Sequence, residues 1–236
     1  MDWFGKHITL WNNAYNCTMN DPMAYVGKRG VRYLLAKIRY EFNRRVLRRL
    51  LGNAELPKGL ITTERAVEIP LAVDFLDRYI KDENVLELGC VLPYYIFNAP
   101  NHIVYDLLDP HPANTPKDLR DMTDCDFNTN IISISTIEHI NLNDLGIIQN
   151  SITAIDVLKR IRTNAKRYFV TFPLGYNPEL DRYVFDNVPE AVFVTRKNEN
   201  KNDWETVMDR TSLSKEQKKF GGYCCANTVC VVTSCR

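Results

Sequence analysis

The residues best suited to chemistry in this sequence follow apolar runs, and His139 is the sharpest candidate among them. It stands beside Glu138 in the string Ser135-Thr-Ile-Glu-His139. A histidine titrates near neutrality and serves as a general base, and a neighbouring carboxylate can share that task. Both also have a structural reading, His139 as an ordinary helix-start residue and Glu138 as a carboxylate at a helix N-terminus. Asp181 is a third candidate, unless it only caps a helix that begins at about Pro178.

A second group of residues suits a nucleoside ligand. Gly89 ends an apolar run and lets the backbone turn sharply and approach a ligand. Asp106, or Asp109 shortly after it, follows the next apolar run and can accept hydrogen bonds from two ribose hydroxyls. Glu87 is placed to orient an amino group. This spacing predicts a cofactor site, although an ordinary strand–turn–helix without a ligand has the same pattern.

The sequence after Gly89 indicates which cofactor to expect. The segment Cys90-Val-Leu-Pro93-Tyr94 lacks the glycines of a phosphate-binding loop. Its proline and bulky side chains would keep a pyrophosphate away from the backbone N–H groups. We therefore expect a cofactor without phosphates rather than NAD or ATP. S-adenosylmethionine fits, because carboxylates such as Glu87 suit its amino group and its positive sulfonium.

These residues need a sheet to bring them together, and the hydrophobic pattern predicts one. Short apolar runs between amphipathic segments are typical of an α/β fold, a parallel sheet with helices on both faces. Such sheets bind ligands beyond the carboxyl ends of their strands. Helices are predicted from Glu64 to Ile80 and from Ser151 to Arg162. Strands are predicted at 84–89, 102–106, 130–135, 167–172, 191–195 and 226–233. The last two strands lack a helix between them, which predicts an antiparallel hairpin at one edge.

Composition places the chain among ordinary globular proteins. Of its 236 residues, 45% are hydrophobic and 25% are charged, with a net charge of +1. These values exclude a disordered or low-complexity chain. Residues 1–56 hold ten Lys and Arg against four Asp and Glu, a net charge of +6, whereas residues 57–236 hold twenty against twenty-five, a net charge of −5. We therefore expect a basic N-terminal extension, 1–56, attached to a main domain, 57–236.

The basic extension contains a predicted amphipathic helix from Met23 to Leu51. Its apolar residues recur every three or four positions, and its other faces carry Lys and Arg. Packing on the main domain is the ordinary reading. Contact with a membrane surface or another anionic partner is the second. Sequence-specific nucleic-acid binding comes last, because no aromatic-interleaved basic motif or zinc module supports it.

The remaining patterns favour a cytoplasmic protein. No apolar run approaches the roughly 18–20 residues that span a bilayer, and the first residues do not read as a signal peptide. The seven cysteines include no C-x-x-C pair, so zinc-ligand spacing is absent. We expect free thiols. No metal is predicted, because no spacing demands one.

Four strings together resemble one branch of the class I S-adenosylmethionine-dependent methyltransferases, whose members often accompany glycan or polysaccharide assembly. They are Glu64-Arg-Ala-Val-Glu-Ile-Pro70, Val85-Leu-Glu-Leu-Gly-Cys-Val-Leu92, Ile132-Ser-Ile-Ser-Thr-Ile-Glu-His-Ile140 and Val170-Thr-Phe-Pro-Leu-Gly-Tyr-Asn-Pro178. The resemblance covers residues 62–236. It implies a Rossmann-like fold with a seven-stranded mixed sheet of strand order 3-2-1-4-5-7-6 and helices on both faces.

The resemblance also implies cofactor-binding roles, position by position. Glu87 and Gly89 match the first cofactor motif of the family. Asp106 matches the acidic residue that holds the ribose, and Asp121 with Met122 matches the loop that contacts the adenine. The second and third glycines of the first motif are missing here, as they are in the branch itself.

The family motif beside the sulfonium and the acceptor matches Ser135 and the pair Glu138-His139. The resemblance thus implies methyl transfer to a hydroxyl group, with a sugar in a glycan or an activated sugar as the expected acceptor. In that reaction the donor and the acceptor must be aligned, and His139 would remove the hydroxyl proton. Two rivals stay open: a methyltransferase for a small metabolite, lipid or protein, and a catalytically inactive module of this fold that binds a partner.

Overall fold

The fold is described by a computed structural model, which covers residues 64–81, 83–94, 101–142, 151–197, 204–207, 209–213, 217–218, 220 and 226–235. The basic helix predicted at 23–51 and the domain boundary predicted at residue 56 lie outside these residues. All six predicted strands and the helices predicted at 64–80 and 151–162 fall within the described residues.

Eight strands of the described residues form one mixed sheet. In chain order they are β1 (Val85–Leu88), β2 (His102–Asp106), β3 (Asn114–Pro116), β4 (Asn130–Ile134), β5 (Arg167–Pro173), β6 (Val192–Arg196), β7 (Trp204–Val207) and β8 (Thr228–Thr233). Across the sheet they lie in the order β3-β2-β1-β4-β5-β8-β6-β7. Strands β1 to β5 are parallel to their neighbours among themselves, whereas β8 is antiparallel to β5 and β6, and β7 is antiparallel to β6. The chain therefore has an α/β fold.

The strand order agrees with the predicted one apart from an added strand. The six runs predicted as strands are all present, and the last two, β6 and β8, pair antiparallel as predicted. They do not form the predicted hairpin at one edge, because β7 lies between them in the sequence and β8 lies between β5 and β6 in the sheet. The predicted count of seven was wrong, because β7 adds an eighth strand outside β6. Without β7 the order is 3-2-1-4-5-7-6, with β8 as the seventh strand. The sequence did not predict β7 because this strand is only four residues long and follows the polar stretch 197–203.

Helices cover both faces of the sheet. They are α1 (Arg65–Phe75), which continues as a π-helical stretch through Leu76–Ile80, α2 (Ala154–Asn164) and α3 (Pro178–Asn187). Successive strand residues belong to two apolar cores, one under each layer of helices. One core lies against α1, where the rings of Phe75 and Phe169 are 5.5 Å apart. The other lies under α2 and α3.

Local capping fixes where α2 and α3 begin. The Thr153 hydroxyl and the Asp156 carboxylate each bond to the other residue's backbone N–H, a capping box at the start of α2. Asn177 caps α3 by accepting a hydrogen bond from the N–H of Leu180, and Pro178 occupies the first turn. The predicted start of α3 is thus confirmed, whereas α2 begins three residues later than predicted.

The carboxyl ends of β1, β2, β4 and β5 meet along one side of the sheet, called the carboxyl edge below, because these four strands are parallel neighbours. Gly89, Asp106 and Ser135 lie at the ends of β1, β2 and β4, and Thr171 lies two residues before the end of β5. The fold therefore brings together residues that are far apart in the sequence.

Two further findings concern the helices and the cysteines of the described residues. No helix among the described residues is long and apolar enough to cross a membrane. The cysteines in the same part of the chain form no disulfide; they are Cys90, Cys125, Cys230 and Cys235.

Candidate functional site

The turn after β1 requires a glycine. Gly89 has a φ of +91°, and its N–H donates a 2.8 Å hydrogen bond to the carbonyl of Tyr105. A Cβ atom at this position would lie 1.9 Å from Oγ1 of Thr136, which follows β4. The ends of β1 and β4 are therefore so close that no side chain fits between them.

Asp106 lies beside this turn. Its Oδ2 accepts a 3.3 Å hydrogen bond from the N–H of Cys90, the residue after Gly89. Its Oδ1 accepts hydrogen bonds of 2.8 and 2.9 Å from the N–H groups of Leu108 and Asp109. The side chain is partly exposed. A carboxylate offers about four acceptor positions, so these contacts leave room for a ribose hydroxyl, and that contact stays a prediction.

The side chain of Glu87 bonds to the loop that follows the same turn. Its carboxylate is fully buried, and Oε1 accepts hydrogen bonds from the N–H groups of Val91 and Leu92 at 2.9 and 2.8 Å. Its Oε2 lies 2.8 Å from Nε2 of His102, without the alignment of a hydrogen bond. Glu87 therefore fixes the loop after β1, and direct contact with the cofactor amino group stays a prediction.

His102 lies on the neighbouring strand and faces Glu87. It begins β2 with its side chain only 11% exposed, facing Glu87. The pairing of strands explains why: Glu87 is in register with Val104, and His102 lies two residues earlier on the same face.

Asp109 joins the loops after β1 and β2. Tyr94 donates a 2.9 Å hydrogen bond from its hydroxyl to the Asp109 carboxylate. Burial and the nearby Asp109 carboxylate raise the pKa of Cys90 to about 12, and the same two causes raise the pKa of Tyr94 to about 12. Both groups therefore keep their protons at neutral pH, and neither supplies an anionic nucleophile.

The loop predicted to contact adenine is held against α2. Met122 is only 2% exposed and packs in the core under α2 and α3, while its carbonyl accepts a 2.8 Å hydrogen bond from Arg160. Asp121 is exposed at the end of a short 3-10 turn. An adenine contact therefore falls to Asp121 and to the backbone of this loop, and it stays a prediction.

Ser135 occupies a strained turn at the end of β4. Its φ of +40° lies in the left-handed region, which non-glycine residues adopt at a cost and often at functional sites. Its hydroxyl donates a 2.7 Å hydrogen bond to Oε1 of Glu68, and its N–H donates a 2.9 Å bond to the carbonyl of Thr171. Glu68 is itself fully buried in α1 and forms a 2.7 Å ion pair with Arg65.

Glu138 follows in the 3-10 turn Ile137–His139 and is almost fully buried. Burial is the main cause that raises the pKa of Glu138 well above its usual range, and the nearby Glu68 and Glu64 carboxylates add to the effect. Its Oε2 has no hydrogen-bond partner among the described residues. Burial thus favours the protonated carboxylic acid, which can donate a hydrogen bond.

His139 is the more accessible member of the pair. Its side chain is 30% exposed, and its Nε2 lies 3.9 Å from Oε1 of Glu138. The hydroxyl of Tyr176 lies 3.1 Å from Nδ1, and the two rings meet edge to face at 4.7 Å. Phe220 continues this aromatic row, 5.0 Å from Tyr176. The ring is held in place and still reaches solvent, as a general base must.

Asp181 holds the turn between β5 and α3. Its Oδ2 accepts a 2.7 Å hydrogen bond from the N–H of Gly175, and burial raises its pKa to about 6. Its Oδ1 is buried without a hydrogen-bond partner in the described part of the chain. The alternative that Asp181 only caps α3 is not what the structure shows, because Asn177 supplies that cap.

The structure thus assembles most of the predicted residues at the carboxyl edge. Asn177 ties two of its turns together, since its amide donates a 3.0 Å hydrogen bond to the carbonyl of Glu138. The sequence did not predict two partners of the site residues, the buried Glu68 and the partly buried Tyr176. The available signal for Glu68 was its spacing from Glu64 and Arg65, which places all three on neighbouring positions of a helix.

No family model, curated protein or solved structure matches the chain. The strand order and the residues at the carboxyl edge are therefore the features of this chain that bear on its function. Among the described residues, no group of three or more His, Cys, Asp or Glu side chains is arranged to hold a metal ion.

Proposed function

We propose that this protein is an S-adenosylmethionine-dependent O-methyltransferase with a Rossmann-like fold. The observation that carries the proposal is the contact between the turn after β1 and the carboxylate after β2. Gly89 has a positive φ, and the N–H of the next residue, Cys90, donates a hydrogen bond to the Asp106 carboxylate. A glycine turn beside a carboxylate provides what an adenosyl group needs, close approach to the backbone and an acceptor for ribose hydroxyls.

The strand order supports the same proposal. Removal of the outermost strand β7 leaves the order 3-2-1-4-5-7-6 that the resemblance implies. Two adjacent parallel strands whose connections leave in opposite directions create a crevice at their carboxyl ends, and ligands of α/β sheets bind there. Here that crevice adjoins β1 and β4, the strands that carry Gly89 and Ser135.

His139 is the proposed general base. When bound, S-adenosylmethionine supplies an electrophilic methyl group. The acceptor oxygen would bond to the methyl carbon as the carbon–sulfur bond breaks and S-adenosylhomocysteine leaves, and His139 would take the hydroxyl proton. The Tyr176 hydroxyl contacts Nδ1 of the ring at 3.1 Å, whereas Oε1 of Glu138 lies 3.9 Å from Nε2, beyond hydrogen-bond distance. Since burial favours the protonated form of Glu138, we assign it hydrogen bonding rather than proton removal.

One observation favours the rival, a catalytically inactive module of this fold. Both oxygens of Asp106 already accept backbone hydrogen bonds, so the carboxylate also has a structural task in its own loop. In an inactive module that task would be its whole role, and no adenosyl ligand would bind.

Calorimetric titration of the full-length protein separates the two. We expect S-adenosylmethionine and S-adenosylhomocysteine to bind, and ATP and NAD to fail as matched adenosine-containing controls because the loop after Gly89 has no phosphate-binding glycines. An absence of binding by both adenosyl ligands at millimolar concentration would refute the methyltransferase proposal.

The proposal also covers the acceptor and the cellular location. We propose a sugar hydroxyl as the acceptor and the cytoplasm as the location. A screen of free monosaccharides and sugar nucleotides with a methyl-labelled donor tests the acceptor class directly. Label transfer to a lipid, a protein or a small metabolite, and not to any sugar, would favour the other methyltransferase reading.

A further inference from the structure

The hydroxyl of Tyr176 lies 3.1 Å from Nδ1 of His139, and this contact bears on which ring nitrogen can take a proton. In a neutral imidazole one nitrogen carries a hydrogen, and the other has a lone pair that accepts one. The hydrogen bond made by one nitrogen sets which of the two forms is present. The partner of Nδ1 therefore decides the state of Nε2.

The loop that carries Tyr176 is anchored on both sides of this residue. Before it, the N–H of Gly175 donates a 2.7 Å hydrogen bond to a carboxylate of α3. After it, the buried amide of Asn177 donates a 3.0 Å hydrogen bond to the carbonyl of Glu138, the residue that precedes His139. Tyr176 and His139 therefore lie on two segments that bond to each other directly beside the contact of the two side chains.

Ring contacts fix the orientation of both side chains. The Tyr176 and His139 rings meet edge to face with their centroids 4.7 Å apart, and the Phe220 ring packs against Tyr176 at 5.0 Å. A half-turn of the imidazole would put Cδ2 in the place of Nδ1 and break the contact with the hydroxyl. The Tyr176 hydroxyl therefore selects one orientation of the imidazole ring.

The two ring nitrogens of His139 differ in their surroundings. Nδ1 is within hydrogen-bond distance of Tyr176, whereas Nε2 is 3.9 Å from Oε1 of Glu138, which is beyond that distance. The His139 side chain is 30% exposed, so a ligand can approach the ring. Because Tyr176 takes the position at Nδ1, a proton from an acceptor has to go to Nε2.

We propose that Tyr176 is a positioning residue that keeps the hydrogen of neutral His139 on Nδ1 and so makes Nε2 the nitrogen that takes the proton. This role rests on the proposed methyltransferase function, in which His139 deprotonates the acceptor hydroxyl. The Nε2 lone pair bonds to that proton. The electron pair of the broken O–H bond stays on the oxygen, which bonds to the methyl carbon as the carbon–sulfur electron pair leaves with sulfur. The imidazolium then donates its Nδ1–H to the Tyr176 oxygen.

Nuclear magnetic resonance of the imidazole nitrogens tests this directly, because their chemical shifts and proton couplings report which nitrogen carries the hydrogen. The sample is the full-length protein with isotope-labelled histidine at about pH 8, where an ordinary histidine is neutral. The chain has four histidines, and the signals lost in His139→Gln are those of His139. We expect the hydrogen on Nδ1. A hydrogen on Nε2 overturns the proposal, because the Tyr176 hydroxyl then donates to Nδ1 and Nε2 has no lone pair for a proton.

Tyr176→Phe keeps the ring and removes the hydroxyl. Its spectrum should show His139 shifted toward the Nε2–H form, and its single-turnover rate of methyl transfer should fall about two- to tenfold, the effect of one lost hydrogen bond. Tyr183→Phe is the matched control, since that hydroxyl accepts a 3.4 Å hydrogen bond from Arg162 on the neighbouring helix. The control should leave the His139 spectrum and the rate unchanged. The same tautomer in Tyr176→Phe as in the parent protein overturns the positioning role.

Calorimetry with S-adenosylhomocysteine on the same samples keeps the two proposals apart, because the tautomer is measured without cofactor or acceptor. An Nε2–H form in a protein that binds S-adenosylhomocysteine overturns the role of Tyr176 and leaves the methyltransferase proposal in place. An Nδ1–H form in a protein that binds neither adenosyl ligand supports the pairing of the two side chains and refutes the methyltransferase proposal. Equal S-adenosylhomocysteine affinity in the parent protein, Tyr176→Phe and Tyr183→Phe shows that the cofactor site is intact in each.

Discussion

The backbone N–H of Cys90 lies 3.3 Å from a carboxylate oxygen of Asp106, so the turn that ends β1 touches the side chain that ends β2. The two residues are sixteen positions apart in the sequence. Parallel pairing of β1 with β2 brings them together. A ligand that contacts one of them is therefore within reach of the other.

Asp106→Asn should weaken binding of S-adenosylhomocysteine about ten- to a hundredfold. The amide keeps an oxygen for the loop N–H groups but loses the charge, and a hydrogen bond to a charged group contributes about 1.5–3 kcal/mol. Calorimetry measures the change. Asp109→Asn is the control, since Asp109 bonds mainly to Tyr94 and His111. A loss of affinity in Asp109→Asn alone would transfer the ribose contact to Asp109.

Gly89→Ala should destabilise the protein by about 1–3 kcal/mol. Two causes add: the left-handed backbone at Gly89, and the overlap of the new Cβ with the Thr136 side chain. Urea denaturation measures the loss. The double variant Gly89→Ala/Thr136→Ala should recover only part of it. It removes Oγ1 and Cγ2 of Thr136, but the backbone strain remains, and the Cβ at position 136 would still lie 2.7 Å from the new Cβ. A single variant as stable as the parent protein would contradict the close approach of β1 and β4.

His139→Ala should lower the rate of methyl transfer about 10²–10⁴-fold, the usual contribution of a general base, with unchanged affinity for S-adenosylhomocysteine. His139→Gln should be nearly as slow, since an amide cannot take the proton. Tyr176→Phe removes only the hydroxyl that lies 3.1 Å from Nδ1 and should fall between the parent protein and His139→Ala. Single-turnover kinetics with the best acceptor from the screen measures each rate.

Near-parent turnover in His139→Ala would exclude it as the base. The role would then pass to Glu138 or Asp181, or proton loss would occur directly to water. A rate that falls together with cofactor affinity would instead indicate that the variant disturbs the carboxyl edge as a whole.

Asp181→Asn should remove a fall in stability that the parent protein shows as the pH rises from about 4 to 6. Burial raises the folded-state pKa of Asp181 to about 6, above an unfolded value of about 3.9. The folded protein therefore binds more protons in this window, and up to about 3 kcal/mol of its stability is lost as the carboxyl group ionises. Denaturation curves between pH 4 and 7 measure the difference between parent and variant. Asp186→Asn, at an exposed position of the same helix, is the control and should follow the parent protein.

The strands that build the site could be predicted from the sequence because each is a short apolar run between polar turns. The two strands that the sequence did not predict, β3 and β7, lack this signal. β3 consists of Asn-Thr-Pro, and β7 has one buried residue, Trp204, in four positions. Pairing with a neighbouring strand makes these segments extended, and hydropathy does not record such pairing.

Single site residues were predictable where their chemistry follows from their place at a strand end, as for Gly89, which the structure finds in a turn of positive φ. Contacts between residues far apart in the sequence could not be predicted in this way. Ser135 bonds to Glu68 across 67 positions of sequence, and Glu87 contacts a histidine of the next strand. Only the assembled sheet and its helices define such pairs, so local patterns cannot supply them.

The two outermost strands of the sheet have a consequence for how copies of this protein meet. β3 is three residues long and ends in Pro116, which has no N–H to offer, and β7 is four residues long with Glu205 exposed. A long, flat outer strand would present a row of unpaired backbone groups to another molecule, whereas short strands interrupted by proline or charge do not. The described sheet is therefore protected at both sides from edge-to-edge joining with a second copy, the first step of β-aggregation.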